Sequence, residues 1–102
     1  MIQHLVTFVW KRGTTQTDIT AITQMLGDLP DLVHALAAYH FGADLGLTEG
    51  TGDFAIVATV ADEAALREYL EHRDHVAIAS RLRALAQNRI AVQINVDHEV
   101  TS

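Results

Sequence analysis

The sequence predicts an α+β fold with the element order β-α-β-β-α-β, in which helices cover one face of an antiparallel four-stranded sheet. Two observations along the 102 residues carry this prediction. Short segments at 2–11, 54–60 and 90–96 are rich in apolar, aromatic and β-branched residues, which is typical of strands. Longer segments between them repeat apolar residues every three to four positions, as amphipathic helices do. This order is that of the ferredoxin-like arrangement.

The first strand, over residues 2–11, has an unusual pattern because both of its faces are apolar. Alternation places His4, Val6 and Phe8 on one face. Leu5 and Val9 on the opposite face are apolar as well. A strand of this kind is expected to be buried on both sides.

The first helix follows a polar turn and is predicted to begin at a cap at Thr15 or Thr17. We expect it to end at Pro30, which removes a backbone donor. The next segment, residues 33–42, fits a helix or a strand. We interpret its later part as an irregular strand over roughly 36–42, since a helix has just ended.

The middle of the chain combines a flexible loop with a buried strand. Three glycines between residues 43 and 53 indicate the loop. Residues 54–60 are apolar on both faces and lie between turn signals, so they predict a buried strand. Asp62 is the expected cap of a helix that continues to about Leu70.

The last third of the chain predicts a broken helical region and a final strand. Residues 72–75 are polar and interrupt the helix. A further helix is expected over about 75–87, a last strand over 90–96 and a polar tail from 97 to 102. The residues of this helix predicted to face inward are Val76, Ala79, Leu82, Leu85 and Ala86.

The composition is too apolar for a small domain that stands alone. Hydrophobic residues make up 49% of the chain and charged residues only 20%. Helices cover one face of the predicted sheet, yet two strands are apolar on both faces. We therefore expect a homodimer packed sheet against sheet. The helix-free face, expected to hold Val6, Phe8 and Ile56, would serve partly as dimer core and partly as ligand cavity.

Charge and residue usage exclude several function classes. The net charge of −6 argues against nucleic acid and against anionic membranes as partners. With no cysteine, the chain has no disulfide, no thiolate nucleophile and no zinc ribbon. The sequence shows no secretory signal pattern and no apolar stretch of membrane-spanning length. A cytoplasmic location is the resulting expectation.

The candidate chemistry lies in one strand histidine and one polar block. His4 interrupts an apolar strand face, either as a hydrogen-bonded core histidine or as a site residue. Tyr69, His72 and His75 are spaced by three, so a continuous helix would place them on one side. A histidine can act as general base near neutral pH, and a tyrosine hydroxyl can stabilise a developing enolate. The alternative is that His72 and Asp74 cap helix ends.

A metal site is not predicted from the same block. His72, His75 and Asp74 offer possible ligands. The chain has no HExxH pattern and no second matching cluster, and its glycines do not follow a strand as in a phosphate loop. We therefore expect neither a metal nor another cofactor.

Two motifs resemble the stress-responsive A/B barrel (Dabb) family. One is the start Ile2-x-His4-x-Val6-x-Phe8-x-Trp10-Lys11, and the other is the stretch 53–75 that ends in Tyr69-x-x-His72-x-x-His75. The resemblance extends over residues 1–96. It implies that residues 1–102 form a single domain of this family, with a ferredoxin-like α+β fold that dimerises into a barrel.

The sequence is also similar to the plant polyketide cyclase branch of that family, which closes linear polyketides without a cofactor. This similarity implies that His75 is the general base, that Tyr69 orients the substrate oxygen and that His4 lines the pocket. Ile22 and Phe54 stand where the branch has an aromatic residue and a histidine. The remaining residues expected to contact substrate are Val6, Phe8, Ile56, Ala58, His72 and Gln93.

Three functions stay open at this point. The first is a cofactor-independent cyclase, lyase or isomerase acting on a small hydrophobic carbonyl compound. The second is a non-catalytic, stress-linked dimer that binds a small ligand. The third is a monooxygenase-like α+β barrel enzyme acting on aromatic or quinone-type substrates. An open cavity of several hundred Å³ containing Tyr69 and His75 would favour an enzyme.

Overall fold

Four antiparallel strands form one sheet, in which the first strand of the chain lies between the third and the fourth, and the second lies at the edge beside the third. The computed structural model describes residues 1–97, so the predicted tail beyond Asp97 lies outside the described residues. The predicted ferredoxin-like α+β fold is confirmed, with its second helical region divided in two. The elements are β1 Ile2–Trp10, α1 Gln16–Leu32, β2 Leu36–Ala43, β3 Phe54–Val60, α2 Glu63–Glu71, α3 Arg73–Leu85 and β4 Ala86–Asn95.

Two helices begin at caps that the sequence predicts. The Thr15 hydroxyl accepts a hydrogen bond from the Asp18 backbone N–H at 3.2 Å, and the Asp18 carboxylate accepts one from the Thr15 N–H at 3.0 Å. This reciprocal pair is a capping box. The Asp62 carboxylate accepts a hydrogen bond from the Ala65 N–H at 2.9 Å and caps α2 by this single bond.

The end of α1 differs from the prediction, because Pro30 lies inside the helix, which continues to Leu32. Proline at this position removes the backbone donor to the carbonyl four residues earlier, but the helix continues for two residues beyond it. The Val33 N–H donates to the Leu29 carbonyl at 2.8 Å and closes the helix. Leu29 and Val33 are both fully buried, so packing favours the extra residues.

The break between α2 and α3 is shorter than predicted. His72 alone separates them, and α3 begins at Arg73 rather than near residue 75. The inward face of α3 carries Ile78 and Leu82, whereas Val76 is 53% exposed. The prediction that Val76 faces inward is therefore wrong. It lies about 100° around the helix from His75, which takes the inward position.

β4 begins at Ala86, four residues before the predicted start and directly after α3. Ala86 pairs with Trp10, and the Lys11 N–H donates to the Leu85 carbonyl at 2.7 Å. Residues 86–88 are Ala, Gln and Asn, which have little strand preference by themselves. Pairing with β1 therefore overrides the local preference of these residues.

The helices cover the sheet face that carries Val6, Phe8 and Ile56, contrary to the expectation that these residues lie on the helix-free face. They are 5%, 2% and 4% exposed and pack in one core with the buried leucines of α1. Alternation shows which residues share a face, but it does not show which of two apolar faces the helices take. The open face instead carries Leu5, Val9, Val57, Ile90, Val92 and Ile94.

No helix within residues 1–97 has the length and apolar character needed to cross a membrane. The longest, α1, has 17 residues and includes Asp18, Asp28 and Asp31. The cytoplasmic location expected from the sequence stays a prediction.

Candidate functional site

A small cavity lies between the sheet and the two C-terminal helices. Its volume is about 20 Å³, which is room for a group of the size of a water molecule. Strand residues from β1, β3 and β4 form its floor, and α2 and α3 form its roof. The lining residues are His4, Val6, Phe8, Ile56, Tyr69, His75, Ala79, Leu82 and Arg89.

Three of the predicted site residues meet at this cavity. The rings of Tyr69 and His75 are 4.4 Å apart between centroids and inclined by 52°. The His4 ring lies 6.3 Å from that of Tyr69 in an edge arrangement. The sequence predicts a break at residues 72–75, and the structure shows that a continuous helix is not needed for this meeting. The turn at His72 directs α3 so that His75 still packs on Tyr69.

His75 is held as a neutral base. Its Nδ1 lies 3.1 Å from the carbonyl oxygen of Leu70. A carbonyl can only accept, so Nδ1 carries the proton and Nε2 keeps its lone pair. Burial lowers the pKa of His75, the Leu70 hydrogen bond opposes this, and the positive charges of Arg83 and Arg89 lower it further. The ring can therefore accept a proton at neutral pH.

His4 has the complementary tautomer. The side-chain amide of Gln93 donates to His4 Nδ1 at 2.8 Å, so the remaining ring proton is on Nε2. Burial lowers the pKa of His4, and Arg89 and His75 add to that effect. With only 3% of its surface exposed, His4 is a buried N–H donor at the cavity.

Tyr69 contributes a hydroxyl that stays protonated. Burial raises the pKa of Tyr69, which is 2% exposed, although Tyr39 and Arg89 partly oppose the shift. The Tyr39 hydroxyl is 3.5 Å from that of Tyr69, beyond the usual range for an O–H···O bond. This contact is loose, so the Tyr69 hydroxyl can donate to a ligand instead.

The other predicted contact residues are placed differently. Ile22 and Phe54 are 2% and 3% exposed in the core and do not line the cavity. His72 is the N-cap of α3, which supports the alternative weighed from the sequence. Gln93 holds His4 without lining the cavity itself. Val6, Phe8 and Ile56 do form part of the wall.

Two residues near the site are not among those predicted from the sequence. Tyr39 lies on β2, in the segment that fits a helix or a strand equally well. Arg89 lies one residue before the predicted start of the last strand, although the structure pairs it with Phe8. Arg89 shares the alternation of Ala91 and Gln93, and an earlier strand boundary would have placed it on the helix-covered face.

The described residues hold no candidate metal centre. Within residues 1–97, no three His, Asp or Glu side chains come together closely enough to bind a metal ion. What the cavity does offer is a proton acceptor at His75 and two neutral donors at Tyr69 and His4. This combination suits transfer of a proton next to a carbonyl group.

Comparison with known proteins gives one family and many similar folds. The profile of the stress-responsive A/B barrel domain (Dabb) matches residues 2–96. A dimeric ferredoxin-like protein of unknown function from Thermobifida fusca is 36% identical, with a TM-score of 0.88 over 93% of this chain and 90% of that one. No curated protein matches this chain.

Two plant structures are similar at lower identity. The crystal structure of At3g17210 from Arabidopsis thaliana is 20% identical, with a TM-score of 0.82 over the whole of both chains. A hydroxynitrile lyase from Passiflora edulis is 18% identical, with a TM-score of 0.81 over 93% of this chain and 94% of that one. At these identities the likeness shows the fold alone. From the family profile and the bacterial relative, the chain belongs to the stress-responsive A/B barrel domain family.

Proposed function

We propose that this protein binds a small hydrophobic carbonyl or aromatic compound at the His4–Tyr69–His75 cavity and catalyses a proton transfer without a cofactor. The reaction class is that of a cyclase, lyase or isomerase, as in the polyketide cyclase-like hypothesis drawn from the sequence. Residues 1–102 act as a single domain that pairs with a second copy in the cytoplasm.

The observation that carries the proposal is the meeting of one proton acceptor and two donors in a cavity whose other walls, apart from Arg89, are apolar. His75 Nε2 takes a proton from the carbon next to a carbonyl. The electron pair of that C–H bond moves onto the carbonyl oxygen and forms an enolate. The Tyr69 hydroxyl and the His4 Nε2–H donate hydrogen bonds to this oxygen, and such donors are most effective away from water.

The relatives support the assembly and the reaction class in part. The bacterial relative and other structures of this fold, from Bacteroides fragilis and Jannaschia, are described as dimeric. The Passiflora edulis protein is a hydroxynitrile lyase, so one protein of this fold carries lyase activity. In this chain the exposed apolar face of the sheet favours dimerisation, because pairing would remove that face from water.

A non-catalytic binding dimer is the second candidate, and the cavity volume favours it. About 20 Å³ is far below the several hundred Å³ that enclose a drug-sized ligand. Catalysis therefore requires either a small reacting group in the cavity, with the rest of the ligand outside, or movement of α3. Deuterium exchange at the carbon next to a carbonyl distinguishes the catalytic from the non-catalytic candidate.

The test measures deuterium exchange at the CH₂ group of phenylacetone in D₂O by NMR. We expect the wild-type protein to accelerate the exchange and His75→Gln to lower the accelerated rate by about 100-fold or more, the usual contribution of a general base. Tyr69→Phe should lower it by at least about tenfold. The control, His34→Gln, changes an exposed histidine on no part of the cavity.

The two candidates then separate clearly. Acceleration that survives in His75→Gln would contradict the role of this residue as base. Phenylacetone that binds to the wild-type protein without any acceleration of exchange would favour the non-catalytic dimer. Both variants should be checked for folding by circular dichroism, since Tyr69 and His75 lie in or beside the core.

A further inference from the structure

Arg89 is the one charged side chain in the cavity lining, and its surroundings are unusual for this protein. The chain has a net charge of −6, yet no Asp or Glu lines the cavity. Among residues 1–97, the guanidinium group of Arg89 takes part in no ion pair. It is exposed, so it lies where the cavity meets solvent. A fixed positive charge at such a position favours an anion.

Arg89 shares a sheet face and a cavity lining with the candidate catalytic residues. Register places Arg89 opposite Phe8 on the helix-covered face, four residue pairs along the strands from the pair of His4 and Gln93. His4 offers an N–H donor, the Tyr69 hydroxyl can donate or accept, and the unprotonated nitrogen of His75 accepts. Arg89 lines the same cavity as His4 and His75, and its positive charge contributes to the lowered pKa values of both.

We propose that the site takes a keto carboxylate with an apolar substituent, and that Arg89 binds the carboxylate. This inference rests on the proposed function and names its substrate class. Arginine presents two parallel N–H donors that match a carboxylate. With the carboxylate at the surface, the adjacent carbonyl is the part that enters the small cavity and reaches Tyr69. The small volume of the cavity is then sufficient, because only the carbonyl group has to be enclosed.

The test compares phenylpyruvate with phenylacetone, in which a methyl group replaces the carboxylate. Affinities are measured by NMR titration of the wild-type protein and of Arg89→Gln, Arg89→Lys and Arg83→Gln. We expect the wild-type protein to bind phenylpyruvate at least about tenfold more tightly than phenylacetone, as a charge-assisted contact implies. In Arg89→Gln the ratio of the two affinities should fall to about one.

The remaining variants separate contact from charge. Arg83 also lowers the pKa of His75 but does not line the cavity, so Arg83→Gln should keep the preference for phenylpyruvate. Arg89→Lys keeps the charge without the paired donors, so it should retain part of the preference for phenylpyruvate.

Three results would overturn the inference. Equal affinities in the wild-type protein would do so while leaving the proposed function intact, provided that phenylacetone binds and exchanges. A preference for phenylpyruvate that persists in Arg89→Gln would show that Arg89 does not bind the carboxylate. Binding of neither compound would overturn the inference and the proposed function together.

Discussion

At the scale of single residues, His4 and His75 couple the chemistry of the cavity to the stability of the fold. His4 is buried and His75 is half-buried, and both have lowered pKa values, chiefly through desolvation. Besides burial, the groups that lower the pKa of His75 are Arg83 on its own helix, Arg89 on β4 and His72 at the helix start. Each of them disfavours a further positive charge on the ring.

We predict that the protein loses stability as the pH falls below about 6.5, the value of an unperturbed histidine. Below that pH, His4 and His75 become protonated in the unfolded chain but stay neutral in the folded chain, because their pKa values are lower there. The free energy of unfolding therefore decreases as the pH falls toward the lowered pKa values. Urea unfolding at pH 7.5 and pH 5.5 measures the effect. His75→Gln should reduce this pH dependence, and His34→Gln should leave it unchanged. An undiminished dependence in His75→Gln would show that His75 contributes nothing to it.

The residues of the site were predictable to different degrees from the sequence. The spacing alone would bring Tyr69 and His75 together only in a continuous helix. In the structure they meet because α2 and α3, on either side of the break, pack on the same sheet face. Arg89 was not identified, because Ala86, Gln87 and Asn88 before it carry no strand signal and are ordered only by pairing with β1.

At the scale of secondary-structure elements, the turn at His72 determines where α3 points and therefore where His75 lies. His72 has an extended backbone, and its Nδ1 accepts a hydrogen bond from the Asp74 N–H at 3.2 Å. His75 is in the first turn of the helix that this contact starts. An N-cap made by histidine is less common than one made by Asn or Asp.

We predict that His72→Ala lowers the free energy of unfolding by about 1 kcal/mol, as the loss of a helix cap usually does. His72→Asn should keep most of the stability, since an Asn side chain accepts the same kind of bond. Urea unfolding at pH 7.5 provides the measurement, with circular dichroism to follow helix content. Equal stability of the wild-type protein and His72→Ala would show that the hydrogen bond contributes no net stabilisation.

The sequence pattern predicts the bounds of one buried strand but not the sheet face that the helices cover. The range 54–60 was predicted with its observed bounds, because a short apolar run between polar turns has few other solutions. The helix-covered face was assigned wrongly. β1 and β3 are apolar on both sides, so the sequence pattern does not show which face packs against α1.

At the scale of the whole molecule, the open face of the sheet accounts for the excess of apolar residues. Ile90, Val92 and Ile94 are 65%, 50% and 44% exposed on consecutive outward positions of β4. They lie beside Leu5, which pairs with both Val92 and Val57. A continuous apolar band of this kind is rarely left in water by a monomeric protein.

We predict that the protein is a dimer of about 22 kDa, twice the chain mass of 11.2 kDa, and that Val92→Lys dissociates it. A lysine at the centre of the band would bring its charge into an apolar interface, which we expect to weaken association by at least about 100-fold. The matched control is Val76→Lys, because Val76 on α3 is equally exposed at 53% but lies away from the open face. Sedimentation velocity at micromolar concentration measures both variants. A monomeric wild-type protein, or equal dissociation by the two lysines, would mean that the open face is not the interface.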